Sequence, residues 1–138
     1  MTDGIEALRG RRAQFSKTVG ESDVYLFAGI SGDFARAHVD EAWCARQPFG
    51  RRVAHGVLLM GFMSTCSTLA LEGFAGAALS LGYDRVRFTR PVHIGDTITC
   101  TYEIVAVDAA RRRTTGRIEM TNQDGATVAV ATHILKVL

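Results

Sequence analysis

The sequence predicts an α+β domain in which an antiparallel β-sheet wraps around one long central helix. Three observations lead there. The run from Val57 to about Phe74 is long, apolar and free of proline, and glycines flank it at Gly56, Gly73 and Gly76. The second half of the chain is a series of Val-, Ile- and Thr-rich runs separated by short turn sequences. One of these runs places Ile98, Cys100, Tyr102 and Ile104 on a single face. That face must be covered, and the long helix is the only element large enough to cover it.

Composition narrows the class. The chain has 138 residues, the size of one ordinary domain spanning 1–138, and 47% of them are hydrophobic, enough to build a core. A net charge of +2 excludes nucleic acid as the main partner, because phosphate-backbone binders carry a clear basic excess. The run Arg111-Arg112-Arg113 reads as a solvated hairpin tip, with a weak phosphate contact as the alternative. Cys44, Cys66 and Cys100 form no CxxC pair and read as small buried thiols in a reducing compartment. The polar start MTDGIEALRGRR has no signal-peptide h-region, and His55, Ser64, Thr65, Ser67 and Thr68 make the apolar stretch too polar for a membrane span. A cytoplasmic protein with no membrane partner is expected.

The elements follow in order. Residues 12–19 (RAQFSKTV) alternate weakly and suit a strand. Ser22-Asp23 can cap a short helix over VYLFAGI, which Gly29, Ser31 and Gly32 then break. Asp40 can cap a second short helix, EAWCARQ, ended by Pro48. The central helix comes next. Four strands are expected in ALSLGYDRVRFTRPV, DTITCTYEIVAVD, RTTGRIEMTN and ATVAVATHILKVL. The turns between them are Ile94-Gly95-Asp96, the Asp108–Arg113 tip and Asn122-Gln123-Asp124-Gly125. Short turns between consecutive strands make the sheet antiparallel. Its open edges favour a homodimer or higher homo-oligomer.

Three stretches carry a resemblance. SGDFARAHVD (31–40) resembles the signature S-G-D-x-N-P-x-H-x-D of the MaoC-like, R-specific enoyl-CoA hydratases. FGRRVAHGVLL (49–59) resembles that family's F-x-x-x-[IV]-[AV]-H-G-x-L-L, and DRVRFTRPVHIGDTI (84–98) its V-R-F-x-x-P-V-x-x-G-D-T-I. The order and spacing agree, and the resemblance covers nearly the whole chain. It implies the hot-dog fold and the reversible addition of water to a trans-2-enoyl thioester of coenzyme A or of an acyl carrier. It further implies that Asp33 and His38 are the catalytic pair and that the backbone N–H of Gly56 binds the thioester oxygen. No metal and no cofactor beyond substrate-borne coenzyme A is implied. The sequence departs from the pattern at Ala35-Arg36, where the family has Asn-Pro, and at Gly61, where some hydratases carry serine.

The residue types suit the chemistry. Water must lose a proton as it attacks the β-carbon, a proton must reach the α-carbon, and the thioester oxygen must be stabilised. Asp and His can exchange protons near neutral pH, and the first amides of a helix offer unpaired donors at the positive end of its dipole. Other readings stand beside this one. An Asp in an S-G-D turn also serves as a cap, and a loop His also packs. His55 reads as structural, orienting the helix entrance, and His93 and His133 lie on strand patterns without assigned chemistry. His38-Val39-Asp40 has the spacing of an iron-site pair, but Asp40 is better explained as a helix cap. Two rival functions remain: thioester hydrolysis on the same fold, and a non-catalytic acyl-thioester-binding subunit.

Overall fold

The structure, a computed structural model, describes residues 4–138; Met1 to Asp3, the start of the polar N-terminus, lie outside the described residues. A 3-10 turn over Glu6–Leu8 leads into strand β1 (Arg12–Thr18). Helices α1 (Glu21–Ser31), α2 (Arg36–Val39), α3 (Glu41–Cys44) and α4 (Gly56–Ala70) follow, and then strands β2 (Ala78–Phe88), β3 (Thr97–Asp108), β4 (Arg113–Thr121) and β5 (Thr127–Val137). The five strands form one antiparallel sheet in the order β1-β3-β4-β5-β2, so β1 and β2 are its edges.

Helix α4 crosses β1 and β3 on the inner face of the sheet. Its buried residues are Leu59, Phe62, Met63, Cys66, Ser67 and Ala70, a spacing of three and four that turns one stripe to the sheet. Opposite it, Ile98, Cys100, Tyr102 and Ile104 of β3 are all buried, as the alternation predicts. The Cys66 thiol lies 3.4 Å from the carbonyls of Ala13 and of Cys100, which ties the helix to both strands. All three cysteines are buried and free.

Several boundaries differ from expectation for local reasons. Gly20, not Ser22 or Asp23, is the N-cap of α1, and the Asp23 carboxylate accepts its N–H at 2.8 Å. Gly29 sits inside α1, and Gly32 alone ends it, in the left-handed conformation (φ 83°) that suits glycine. Asp40 does cap α3 by accepting the Trp43 N–H at 2.9 Å, but that helix stops at Cys44. Helix α4 ends at Ala70, short of Phe74, and β2 ends at Phe88, ahead of Pro91. The arginine tip is not wholly solvated, because Arg112 donates to the carbonyls of Val137 and Leu138 at 3.3 and 2.9 Å.

Candidate active site

The N-terminus of α4 meets the loop between α1 and α2. Within that loop, Ser31 Oγ donates to the Phe27 carbonyl at 2.7 Å and accepts the Asp33 N–H at 3.3 Å. Asp33 Oδ1 then accepts the Ala35 N–H at 3.2 Å, closing a turn that leaves the carboxylate exposed. The structure bears out the turn reading of Asp33, since one carboxylate oxygen shapes the loop. His38, on α2, is half-buried and bonds through Nδ1 to the Val53 carbonyl at 2.6 Å. A carbonyl only accepts, so Nδ1 carries a proton, and in the neutral ring the lone pair lies on Nε2.

His55 immediately precedes α4 and is 1% exposed. Its Nε2 donates to the Asp33 carbonyl at 2.9 Å, and its ring stacks on that of His38 with centroids 3.6 Å apart. Phe27 also packs against the His55 ring, with centroids 4.8 Å apart. His55 Nδ1 is buried with no hydrogen-bond partner among the described residues. His55 thus does more than orient the helix entrance, because it holds the Asp33 backbone and flanks the His38 ring. The spacing of 22 residues between Asp33 and His55 hides this from the sequence.

Asp33, His38 and His55 each bring a ligand-type atom within 4.8 Å of the others, the one such trio among the described residues. The donor set suits a metal ion, and it equally suits a water held between an acid and a base. Asp40, the carboxylate of the H-x-D spacing, takes no part in the trio. It pairs with Arg36 at 2.9 Å, and the Trp43 amide followed by Arg36 holds its carboxyl below the usual range. Arg36 also lies over the Trp43 ring at 5.2 Å.

Arg52 braces the surroundings and went unnoticed in the sequence. Its guanidinium bonds Glu21 at 2.8 Å and Tyr25 Oη at 2.9 Å, and it also pairs with Glu41, so α1, α3 and the strand-like segment before α4 share one cation. The next residue, Val53, supplies the carbonyl that fixes His38. Gly56 opens α4, where its N–H has no helical partner to bond. His93 and His133 take no part in the trio, although His93 pairs with Val53 across a β-bridge. His93 bonds the Phe49 carbonyl at 2.7 Å, and His133 is buried in the sheet core.

A five-stranded antiparallel sheet folded around one long helix, with a polar cluster where that helix begins, defines a hot-dog protein. The MaoC-like domain family matches residues 6–129, and the chain belongs to that family. It is 37% identical over 112 residues to the (R)-specific enoyl-CoA hydratase of Rhodospirillum rubrum, covering 81% of this chain and 76% of that one. Against the (R)-specific enoyl-CoA hydratase of Aeromonas caviae it is 30% identical over 131 residues, 92% of each chain. The solved (R)-hydratase from A. caviae involved in PHA biosynthesis superposes with a TM-score of 0.85 at 30% identity, covering 94% of this chain and 96% of that one. No helix among the described residues is long and apolar enough to cross a membrane.

Proposed function

We propose that this chain is an R-specific hydro-lyase that adds water reversibly to a trans-2-enoyl thioester of coenzyme A or an acyl carrier, with Asp33 and His38 as the catalytic pair. The observation that carries this reading is the placement of the Asp33 carboxylate and the His38 ring within one water's reach of each other, at the start of α4. Groups up to 4.8 Å apart can both bond a single water, because two hydrogen bonds of ordinary length span that gap. The Val53 carbonyl fixes the His38 tautomer, which leaves Nε2 free to take a proton from water or return one. Asp33 completes the exchange with the α-carbon. Proton transfer of this kind contributes about 10²–10⁴-fold.

The developing enolate oxygen is bound by the Gly56 N–H at the positive end of the α4 dipole. Adding water to a conjugated thioester moves protons and leaves the overall oxidation state unchanged, so the chemistry calls on no redox cofactor. Coenzyme A enters as part of the substrate. We read the Asp33–His38–His55 trio as a water site rather than a metal site. The active form is a homodimer or larger homo-oligomer. The β2 edge supports this, because Leu79 and Leu81 stand exposed beside unpaired backbone groups. The buried thiols fit a reducing, cytoplasmic setting.

Incubation with crotonyl-CoA tests the proposal, following the conjugated absorbance and free thiol together. Loss of absorbance without thiol release is expected. Thiol release would mean thioester hydrolysis instead. No change with enoyl thioesters of several lengths would make the chain a binder.

A further inference from the structure

We infer that Phe88 is a positioning residue of this site: its ring fills the space that a side chain at position 56 would need, and its free face forms the wall along which the thioester reaches the Gly56 N–H. The inference rests on the hydratase reading. A Cβ built on Gly56 would lie 2.6 Å from Phe88 Cε2 and 2.8 Å from both Cδ2 and Cζ. Such contacts are far inside van der Waals distance. Gly56 has no positive φ, so its backbone does not require glycine. The close approach that the residue permits is made by the protein's own ring.

Phe88 is well placed for this role. It is the last residue of β2 and pairs with the buried Ala129 of β5. The next residue, Thr89, donates its N–H to Val128 at 2.9 Å and its hydroxyl to the Thr127 carbonyl at 2.8 Å. The backbone that carries the ring is therefore anchored to the core sheet, while 46% of Phe88 remains exposed. An aromatic face next to the open helix amide excludes water from the oxygen that the amide binds. A hydrogen bond to developing charge is stronger where water is excluded. The ring contributes no proton and no donor; it holds the donor in place and keeps it dry.

Four variants test the inference: Phe88→Ala, Phe88→Tyr, Gly56→Ala and the double variant Gly56→Ala/Phe88→Ala. Hydration of crotonyl-CoA and thermal melting by circular dichroism are the readouts. Phe88→Ala should lower kcat at least tenfold with a smaller change in KM, and Phe88→Tyr should keep kcat within a few-fold. The methyl of Gly56→Ala must displace the ring, so the double variant should be no worse in kcat than the worse single. The methyl should also lower Tm less in the Phe88→Ala background than in the wild type. Wild-type kcat in Phe88→Ala, or losses that multiply in the double variant, would overturn the inference. If Gly56→Ala fails to fold, the kcat of the two Phe88 variants decides. A wild type that leaves crotonyl-CoA and longer enoyl thioesters unchanged overturns the hydratase reading instead, and the melting comparison still judges the contact between ring and glycine.

Discussion

Two buried histidines sit in this small domain, and their surroundings are opposite. His133 lies on β5, fully buried, with both ring nitrogens bonded: Nε2 to Ser80 Oγ at 2.7 Å and Nδ1 to Tyr102 Oη at 2.9 Å. It stacks on Tyr83 at 4.3 Å, and Gly116 leaves room for the Tyr102 ring, since a Cβ there would lie 2.4 Å from Tyr102 Cζ and Oη. Each hydroxyl can donate or accept, so the neutral ring is satisfied on both sides. His55 is almost as buried but bonds through one nitrogen only, to a loop carbonyl, and stacks on a half-exposed histidine. A satisfied polar plug joins β2, β3 and β5. A half-satisfied ring supports the loop that carries the exposed Asp33. Burial alone does not separate a structural histidine from one that serves a site; the partners of its two nitrogens do.

The largest expected effect falls beside His55. Asp33→Asn and His38→Ala should each lower hydration turnover by about 10²–10⁴-fold, with melting temperatures close to wild type because Asp33 is exposed and His38 only half-buried. The double variant should be scarcely worse than the worse single, since the pair acts on one water. Steady-state kinetics on the three variants would check this, and near wild-type turnover in both folded singles would reduce the pair to a turn.

At the plug the order reverses. His133→Phe strands the buried Tyr102 hydroxyl and should cost about 1–3 kcal/mol in urea unfolding, with turnover per folded molecule within about twofold. The same variant reads out pH. Burial lowers the His133 pKa from 6.5 to about 4, so the unfolded chain takes up the proton first as the solution is acidified. Its stabilising contribution is complete above pH 6.5 and is lost as the pH falls towards 4, at a cost of about 3 kcal/mol. Unfolding curves across that window should show the wild type losing stability more steeply than His133→Phe. Parallel curves would mean that the ring takes up its proton as readily in the folded chain as in the unfolded one.

A smaller effect sharpens the contrast. His55→Phe keeps the shape and the stacking but loses the bond to the Asp33 carbonyl. It should lower turnover by about 10–100-fold through a displaced loop. It should change stability by less than about 1 kcal/mol, because it also removes a buried acceptor that has no partner. A large loss of stability with normal turnover would make His55 a second plug.

The smallest effect belongs to Arg36. It is the first residue of α2, where proline is accommodated, and its ion pair with Asp40 is exposed. Arg36→Pro should leave turnover within several-fold and cost less than about 1 kcal/mol. Abolished activity in a folded variant would give the guanidinium a direct role on substrate.

Much of this was legible in the residues. Alternation marked the inner face of β3, turn residues separated the strands, and the length of the central run implied the helix. These features are local, with periods of two or of three to four residues, so sequence order expresses them directly. The short motifs around Asp33, His38 and Gly56 carried the family resemblance for the same reason. Chain order could not show which side chains meet across the fold. His55 reaches Asp33 from 22 positions away, Ser80 reaches His133 from 53, and the Phe88 ring closes over Gly56 from the opposite sheet edge. The start of α1 was also misjudged, at Val24 instead of Glu21, because Gly20 serves as a cap through its backbone and has no side chain to announce it. The sequence determined which elements form and which chemistry is available. Only the tertiary structure decided which histidine is satisfied and which is left with an open nitrogen, because hydrogen-bond partners and ring contacts depend on distances in space between residues remote along the chain.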